Sequence, residues 1–410
     1  MSERLIYRAQ TVVTMDGPPI DNGAVAVAGE RIAAVGRFDE LRTEGGAVTD
    51  LGEMVLLPGL INAHCHLDFT SLRGKIAPQR SFTDWILQIN GLRRDLSDED
   101  FLESIALGFE EAKSWGTTTM ANIESMPALL SRMVPPPLRT WWFAELIDVR
   151  PRLSAEEMIA DALTSFRDKP EWRGGFGLSP HAPYTASPKL TRLAATAAKQ
   201  SDLMLTMHLA ESEEEMEMFR DGRGRLFDFL QSLGRPTDDC GKGKTPLAVM
   251  LEREAIDDRW IFVHLNELTE EDFASLENGP RFHIAHCPRS CRYFRHAPFA
   301  LLRLADLGFN VCLGTDSLAS NSSLSLFAEM RAVRDAHSDY PSERILEMAT
   351  VNGARALHQE NALGKIRPGF LADLIALPIV QHGDDLFEAI ISWDEKVPWM
   401  MLAGKPMAAA

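Results

Sequence analysis

Between residues 55 and 315 the sequence alternates eight short apolar runs with longer segments of helical spacing, and this alternation constrains the fold more than any other feature. The runs are Val55 to His64, Thr117 to Ile123, Arg139 to Ile147, Gly174 to His181, Leu203 to His208, Trp260 to Leu265, Arg281 to Cys287 and Asn310 to Thr315. The stretches between them carry helix punctuation. In DEDFLESIALGFEEAKSWG, Ser97 or Asp98 stands at the N-cap and Gly116 at the stop; in SPKLTRLAATAAKQ, Ser187 and Pro188 open the helix. Eight strands alternating with helices predict an α/β fold, the (β/α)8 or TIM barrel, whose active site lies at the C-terminal ends of its strands.

What ends the runs is therefore informative. They finish in His64 and His66, Asn122 and Glu124, Glu145, His181, His208, His264, His286 and Asp316, so six of the 11 histidines fall at such ends. His283, His296, His337, His358 and His382 do not, and are read as structural or solvated. On a strand alternate side chains share a face, so His64 and His66 converge while Cys65 points away. Neutral imidazole is the commonest protein ligand for zinc and iron, and a mononuclear hydrolytic site needs several fixed ligands with one position left open. His64, His66, His208 and Asp316 supply three imidazoles and a carboxylate, a set suited to one divalent ion: Zn2+ first, Fe2+ as the alternative. A second ion would need an anionic bridge such as a carboxylated lysine, and the fourth run, ending FGLSPH, has none.

Lowering the pKa of a water toward about 7 makes a nucleophile but does not expel ammonia, so a proton donor is required. Glu211, three residues after His208, is the acid tied by position to a candidate ligand; the alternative is a solvated loop glutamate among AESEEEME. His264 is placed to orient the attacking oxygen, and His181, set in a proline-bounded loop, to touch substrate. His286, followed by Cys-Pro, is read as pocket lining. Cys287 and Cys291 lack the second ligand pair of a zinc knuckle.

The remaining features bound the class. Residues before about 57 alternate short β-rich runs with turns, as does GKIRPGFLADLIALPI near the other end. The formal net charge of −17 disfavours nucleic acid and anionic membrane as partners, and no stretch reaches the roughly 18 apolar residues of a membrane span. With no signal-peptide core and five cysteines without framework spacing, a cytoplasmic location is expected.

PGLINAHCHLD, HLAE, VHLNEL, HCPRS, LGTDSLASNSSLSLFAEMR, VNGARAL and GKIRPGFLADLIAL follow one another in an order that resembles the amidohydrolase superfamily, in its mononuclear deaminase and chlorohydrolase branch. The resemblance implies a distorted barrel over residues 57–359 and a small β-sandwich assembled from 1–56 and 360–410. It also implies His64, His66, His208 and Asp316 as metal ligands, with Glu211, His264 and Asp316 catalytic. Cys291 departs from the asparagine usual after HCPxS and leaves the role of that loop open. Within the branch the HLDFTSLRG…SFTDWI and GTDSLASNSS segments look most like aminodeoxyfutalosine deaminases, which implies removal of the 6-amino group of an adenine-type nucleoside by attack of metal-activated hydroxide. Alternatives are deamination of adenosine, methylthioadenosine or adenosylhomocysteine, triazine dechlorination, cyclic amide hydrolysis, and a non-catalytic ligand-binding barrel with a structural metal. A small molecule is the expected partner, with Trp85 and Phe69 stacking on a planar ring, Glu145 or Glu124 bonding ribose or base, and Arg152 meeting an acidic tail. A homodimer is the default expectation for such a barrel.

Overall fold

The computed structural model describes residues 4–150, 153–167, 169, 171–379 and 385–407. Nine strands form one sheet: β1 Leu60–His66, β2 Thr117–Glu124, β3 Arg139–Leu146, β4 Gly174–Pro180, β5 Met204–Leu209, β6 Trp260–His264, β7 His283–His286, β8 Asn310–Leu313 and β9 Asp316–Ser317. Their order is β8-β7-β6-β5-β4-β3-β2-β1-β9. Only Gly314 and Thr315 separate β8 from β9, so one broken strand pairs with β7 through its first part and with β1 through its second, where Asp316 lies opposite Cys65 and Ser317 opposite His66. The ring thus closes as a distorted TIM barrel. Every residue of β1 and β2 is buried, as expected for parallel strands covered on both faces.

The broken strand approaches β1 closely. A Cβ added to Gly314 would lie 2.7 Å from His64 Cβ and 2.8 Å from the His64 carbonyl oxygen. Glycine is required there by space, and Gly314→Ala is expected to cost about 1–3 kcal/mol as an overpacked core site. A lowered midpoint in thermal or urea unfolding checks this; an unchanged midpoint would show that the strand relaxes.

One expected run divides. Val55–Pro58 belongs to a different sheet from Leu60–His66, and the break falls at Gly59, where an added Cβ would clash with the Thr118 side chain. The apolar sequence is continuous across this break because both halves are buried. The second sheet has eight strands from both chain ends: Arg4–Val12, Ile20–Ala28, Arg31–Arg37, Ala47–Asp50, Val55–Pro58, Leu374–Leu377, Trp399–Leu402 and Lys405–Met407. Alternation serves two faces here. Tyr7, Val25, Val27 and Leu374 join one apolar cluster, while Ile6, Ala24 and Ala26 join another with Leu41.

By compactness the chain divides into Met1–Ala63, Glu110–Met120 and Leu324–Ala410 on one side, and His64–Phe109 and Ala121–Ser323 on the other. The C-terminal ends of all the barrel strands lie in the second unit. Four helices of that unit matter for the site: α1 Phe82–Arg94, α2 Glu213–Asp221, α3 Arg225–Ser232 and α4 Pro288–Phe294. Helix α1 begins at Ser81, whose hydroxyl accepts the Asp84 N–H, and Glu214 of α2 accepts the N–H groups of Phe82 and Thr83 at 3.0 Å each. Asp84 pairs with Arg225 of α3. The three helices pack Phe82, Met218, Phe219, Leu226 and Leu230 into one apolar cluster beside the barrel mouth.

Among the described residues no helix is long and apolar enough to cross a membrane.

Candidate active site

Strand ends bring six side chains together: His64 and His66 from β1, His208 from β5, Glu211 just beyond it, His264 from β6 and Asp316 from β9. The candidate ligand atoms of His64, His66 and His208 lie within 4.8 Å of one another, as do those of Glu211, His264 and Asp316. His66 Nε2 is 3.3 Å from His208 Nε2, and Asp316 Oδ1 lies 3.7 Å from His64 Nε2 and 3.8 Å from His66 Nε2. On the other flank Glu211 Oε1 is 3.6 Å from His264 Nε2.

Neighbours fix these groups. His208 Nδ1 lies 2.9 Å from the His181 carbonyl oxygen, so Nδ1 carries the proton and Nε2 presents a lone pair to the cluster. Asp316 Oδ2 accepts the hydroxyls of Ser290, on α4, and Ser320, leaving Oδ1 toward the imidazoles. Glu211 is held from behind, its N–H donating to Glu215 Oε2 at 2.7 Å and its carbonyl accepting from Asn266. Left-handed backbone recurs at non-glycine residues here: Ala210 (φ 49°), His264 (φ 76°), Leu265 (φ 49°) and Asp316 (φ 58°). Such conformations are costly for side-chain-bearing residues, and they cluster where function fixes a direction.

Burial sets the protonation states. It pushes His208 down to about 3, helped by His181 and His64, and pushes His66 and His264 well below the ordinary histidine value. Burial would raise Asp316, but the imidazoles of His64, His264 and His66 outweigh it and hold the carboxyl well below its usual range. Glu211 moves the opposite way: burial, then Asp316 and Glu215, raise it well above the ordinary value. Burial thus favours the neutral form of His66, His208 and His264 and the protonated form of Glu211, while the neighbouring imidazoles favour the ionised form of Asp316.

A cavity of about 300 Å³ opens over the cluster. Phe69, Trp85, Glu145 and His181, four of the expected substrate contacts, line it. Arg152 lies outside the described residues, as does His382, and Glu124 is buried outside the lining. His286 requires correction: it is absent from the lining, and its ring stacks on Phe299 with centroids 3.9 Å apart. His283, three residues earlier and so on the opposite strand face, lies 2.9 Å from the Asn310 side chain on β8. Sequence reasoning also missed contributors. Asn90 and Arg93 of α1 line the cavity, and so do Leu226, Phe229, Leu230 and Leu233 on α3 and just beyond it. That last set has helical spacing of 3, 4 and 7, a signal readable in RLFDFLQSLG. His296, read as structural or solvated, places Nε2 3.9 Å from Glu211 Oε1.

A closed parallel barrel with titratable side chains gathered at its C-terminal mouth is the arrangement of a barrel enzyme. The amidohydrolase family model matches residues 55–395, and the chain belongs to that family; it is a hydrolase acting on carbon–nitrogen bonds. A short segment, residues 23–44, matches an imidazolonepropionase-like composite domain of bacteria. The chain is 31% identical over 396 residues to the 5-methylthioadenosine/S-adenosylhomocysteine deaminase of Moorella thermoacetica, covering 92% of this chain and 86% of that one. An adenosine deaminase from Xanthomonas campestris with bound zinc superimposes with a TM-score of 0.78 at 25% identity, over 98% of this chain and 92% of the other. Aminofutalosine deaminase from Helicobacter pylori, in complex with methylthio-coformycin, has the same fold at a TM-score of 0.83 and 23% identity, over 98% of this chain and all of that one.

Proposed function

We propose that the protein is a zinc-dependent deaminase that removes the 6-amino group of an adenine nucleoside with an apolar 5′ substituent. The donor set fits the ion. Around an ion with bonds of about 2.0–2.1 Å and one position left for water, neighbouring ligand atoms would stand roughly 2.9–3.6 Å apart, close to the 3.3, 3.7 and 3.8 Å separations among His66, His208, His64 and Asp316. His64, His66, His208 and Asp316 would hold the cation. When bound, it supplies a Lewis acid that lowers the pKa of a coordinated water toward about 7.

The side chains divide the remaining work. Asp316, whose ionised form the neighbouring imidazoles favour, takes a proton from the water that attacks C6. Glu211, kept protonated, gives its proton to the adjacent ring nitrogen, so that charge does not accumulate on the purine. His264, 3.6 Å from Glu211, steadies the attacking oxygen. Asp316 passes its proton to the departing amine, the C6–N bond breaks, and Glu211 recovers a proton from the new C6 hydroxyl. The products are the 6-oxo nucleoside and ammonia.

The observation that carries this reading is geometric: His64, His66, His208 and Asp316 converge with Glu211 and His264 beside them, against a cavity lined by Phe69 and Trp85. The apolar wall of Ile86, Ile89, Leu226, Phe229 and Leu230 suits a thioether such as that of methylthioadenosine, the substrate named for the Moorella relative. Arg150, which lines the same cavity, favours a second reading in which the 5′ end carries a carboxylate, as in aminodeoxyfutalosine or adenosylhomocysteine.

The test is ammonia release from adenosine, methylthioadenosine, adenosylhomocysteine and aminodeoxyfutalosine by protein of measured zinc content. Turnover of methylthioadenosine with the highest kcat/KM is expected. Ammonia from none of the four would overturn the reading. Phe229→Asp, which puts a charge into the apolar wall, is expected to raise KM for methylthioadenosine about tenfold with kcat changed less than about twofold; an unchanged KM would place the 5′ substituent elsewhere.

A further inference from the structure

His296 lies on no barrel strand. It follows α4, where Arg295 in left-handed conformation (φ 62°) turns the chain back and the His296 N–H donates to the Cys291 carbonyl. Its ring is held between Phe294, stacked at 5.1 Å, and Phe82, edge-on at 5.8 Å, while the next residue's N–H is fixed by Glu267. The side chain is 7% exposed. Among the described residues its Nε2 is buried without a hydrogen-bond partner, and it lies 3.9 Å from Glu211 Oε1. An imidazole nitrogen buried without a partner is costly, and the Glu211 carboxyl is a group able to offset that cost.

We propose that His296 is a positioning residue for the proton donor: with its proton on Nε2, it donates to Glu211 Oε1 and so directs the carboxyl O–H, on Oε2, into the cavity. The inference rests on the reading of Glu211 as the acid. The present separation exceeds a hydrogen bond, and catalytic contacts of this kind commonly tighten when substrate fills the site. His264 Nε2 lies 3.6 Å from the same oxygen, so in this proposal the two imidazoles together bias the carboxyl toward one rotamer. Burial pushes His296 down to about 4, which keeps it neutral and able to serve as a donor without adding charge beside the acid.

The test is a double-mutant cycle in zinc-loaded protein with methylthioadenosine or whichever nucleoside is turned over. His296→Phe keeps the aromatic packing and removes the donor; kcat is expected to fall about 10–100-fold, with KM within about threefold and zinc content unchanged. His296→Gln, whose amide N–H reaches a similar point, is expected to recover most of the loss. On the Glu211→Gln background, His296→Phe is expected to cost less than about twofold, because both changes remove one function. Three results would overturn the proposal: kcat of His296→Phe within twofold of wild type, no rescue by Gln, or full additivity with Glu211→Gln. If Glu211→Gln itself turns over normally, the reading of the acid fails, and with it the basis of the pair.

Discussion

Glu211→Gln lowers kcat by about 10³-fold, leaves KM within about threefold and leaves the zinc content unchanged. The amide matches the carboxyl in shape and still accepts from its neighbours, but it has no acidic proton to give. Its neighbours in sequence serve as controls, because the fold has already assigned them. Glu214 caps α1 through the N–H groups of Phe82 and Thr83, Glu215 holds the Glu211 N–H, and Glu213 is exposed. Glu213→Gln should therefore stay within about twofold of wild type. Steady-state kinetics with metal analysis decides the matter, and a Glu211→Gln enzyme with near-normal kcat would remove Glu211 from the chemistry.

That Glu211 could be singled out at all reflects what a sequence encodes well. A strand has period two and the barrel has a defined chemical end, so the gathering of His64, His66, His208, His264 and Asp316 at one mouth was legible from their positions. Three features were not. The run Val55 to His64 feeds two sheets, and because both halves are buried no change of polarity marks the break at Gly59. His286 stands at a strand end as His208 does, yet its ring packs on Phe299, which only the three-dimensional path of residues 287–299 brings there. His296 reaches Glu211 through a left-handed turn at an arginine, a conformation that side-chain identity does not announce. The α3 wall is an intermediate case: its apolar spacing could be read as an amphipathic helix, but not that the apolar face would border the cavity.

Removing the cation tests the other half of the site. Treatment with a chelator abolishes turnover, by more than about 10³-fold, and stoichiometric zinc restores it. Stability should follow, because the donors are gathered only in the folded chain: an ion present at 1,000 times its Kd stabilises by about 4 kcal/mol. At roughly 2.1 cal/mol/K per residue that amounts to a rise in Tm of about 4–5 °C. Asp316→Ala should lose both the bound zinc and the Tm rise. The cause is specific: Oδ1 is the one ionised oxygen facing His64 and His66, and the hydroxyls of Ser290 and Ser320, which now donate to Oδ2, cannot replace its charge. Asp316→Asn separates charge from shape, keeping an oxygen near the same place while removing the charge that draws the cation, so its zinc affinity should fall between those of wild type and Asp316→Ala. An Asp316→Ala protein that binds one zinc with wild-type affinity and melts at the wild-type temperature would show that the imidazoles alone hold the ion, and Asp316 would then keep only its part in proton transfer.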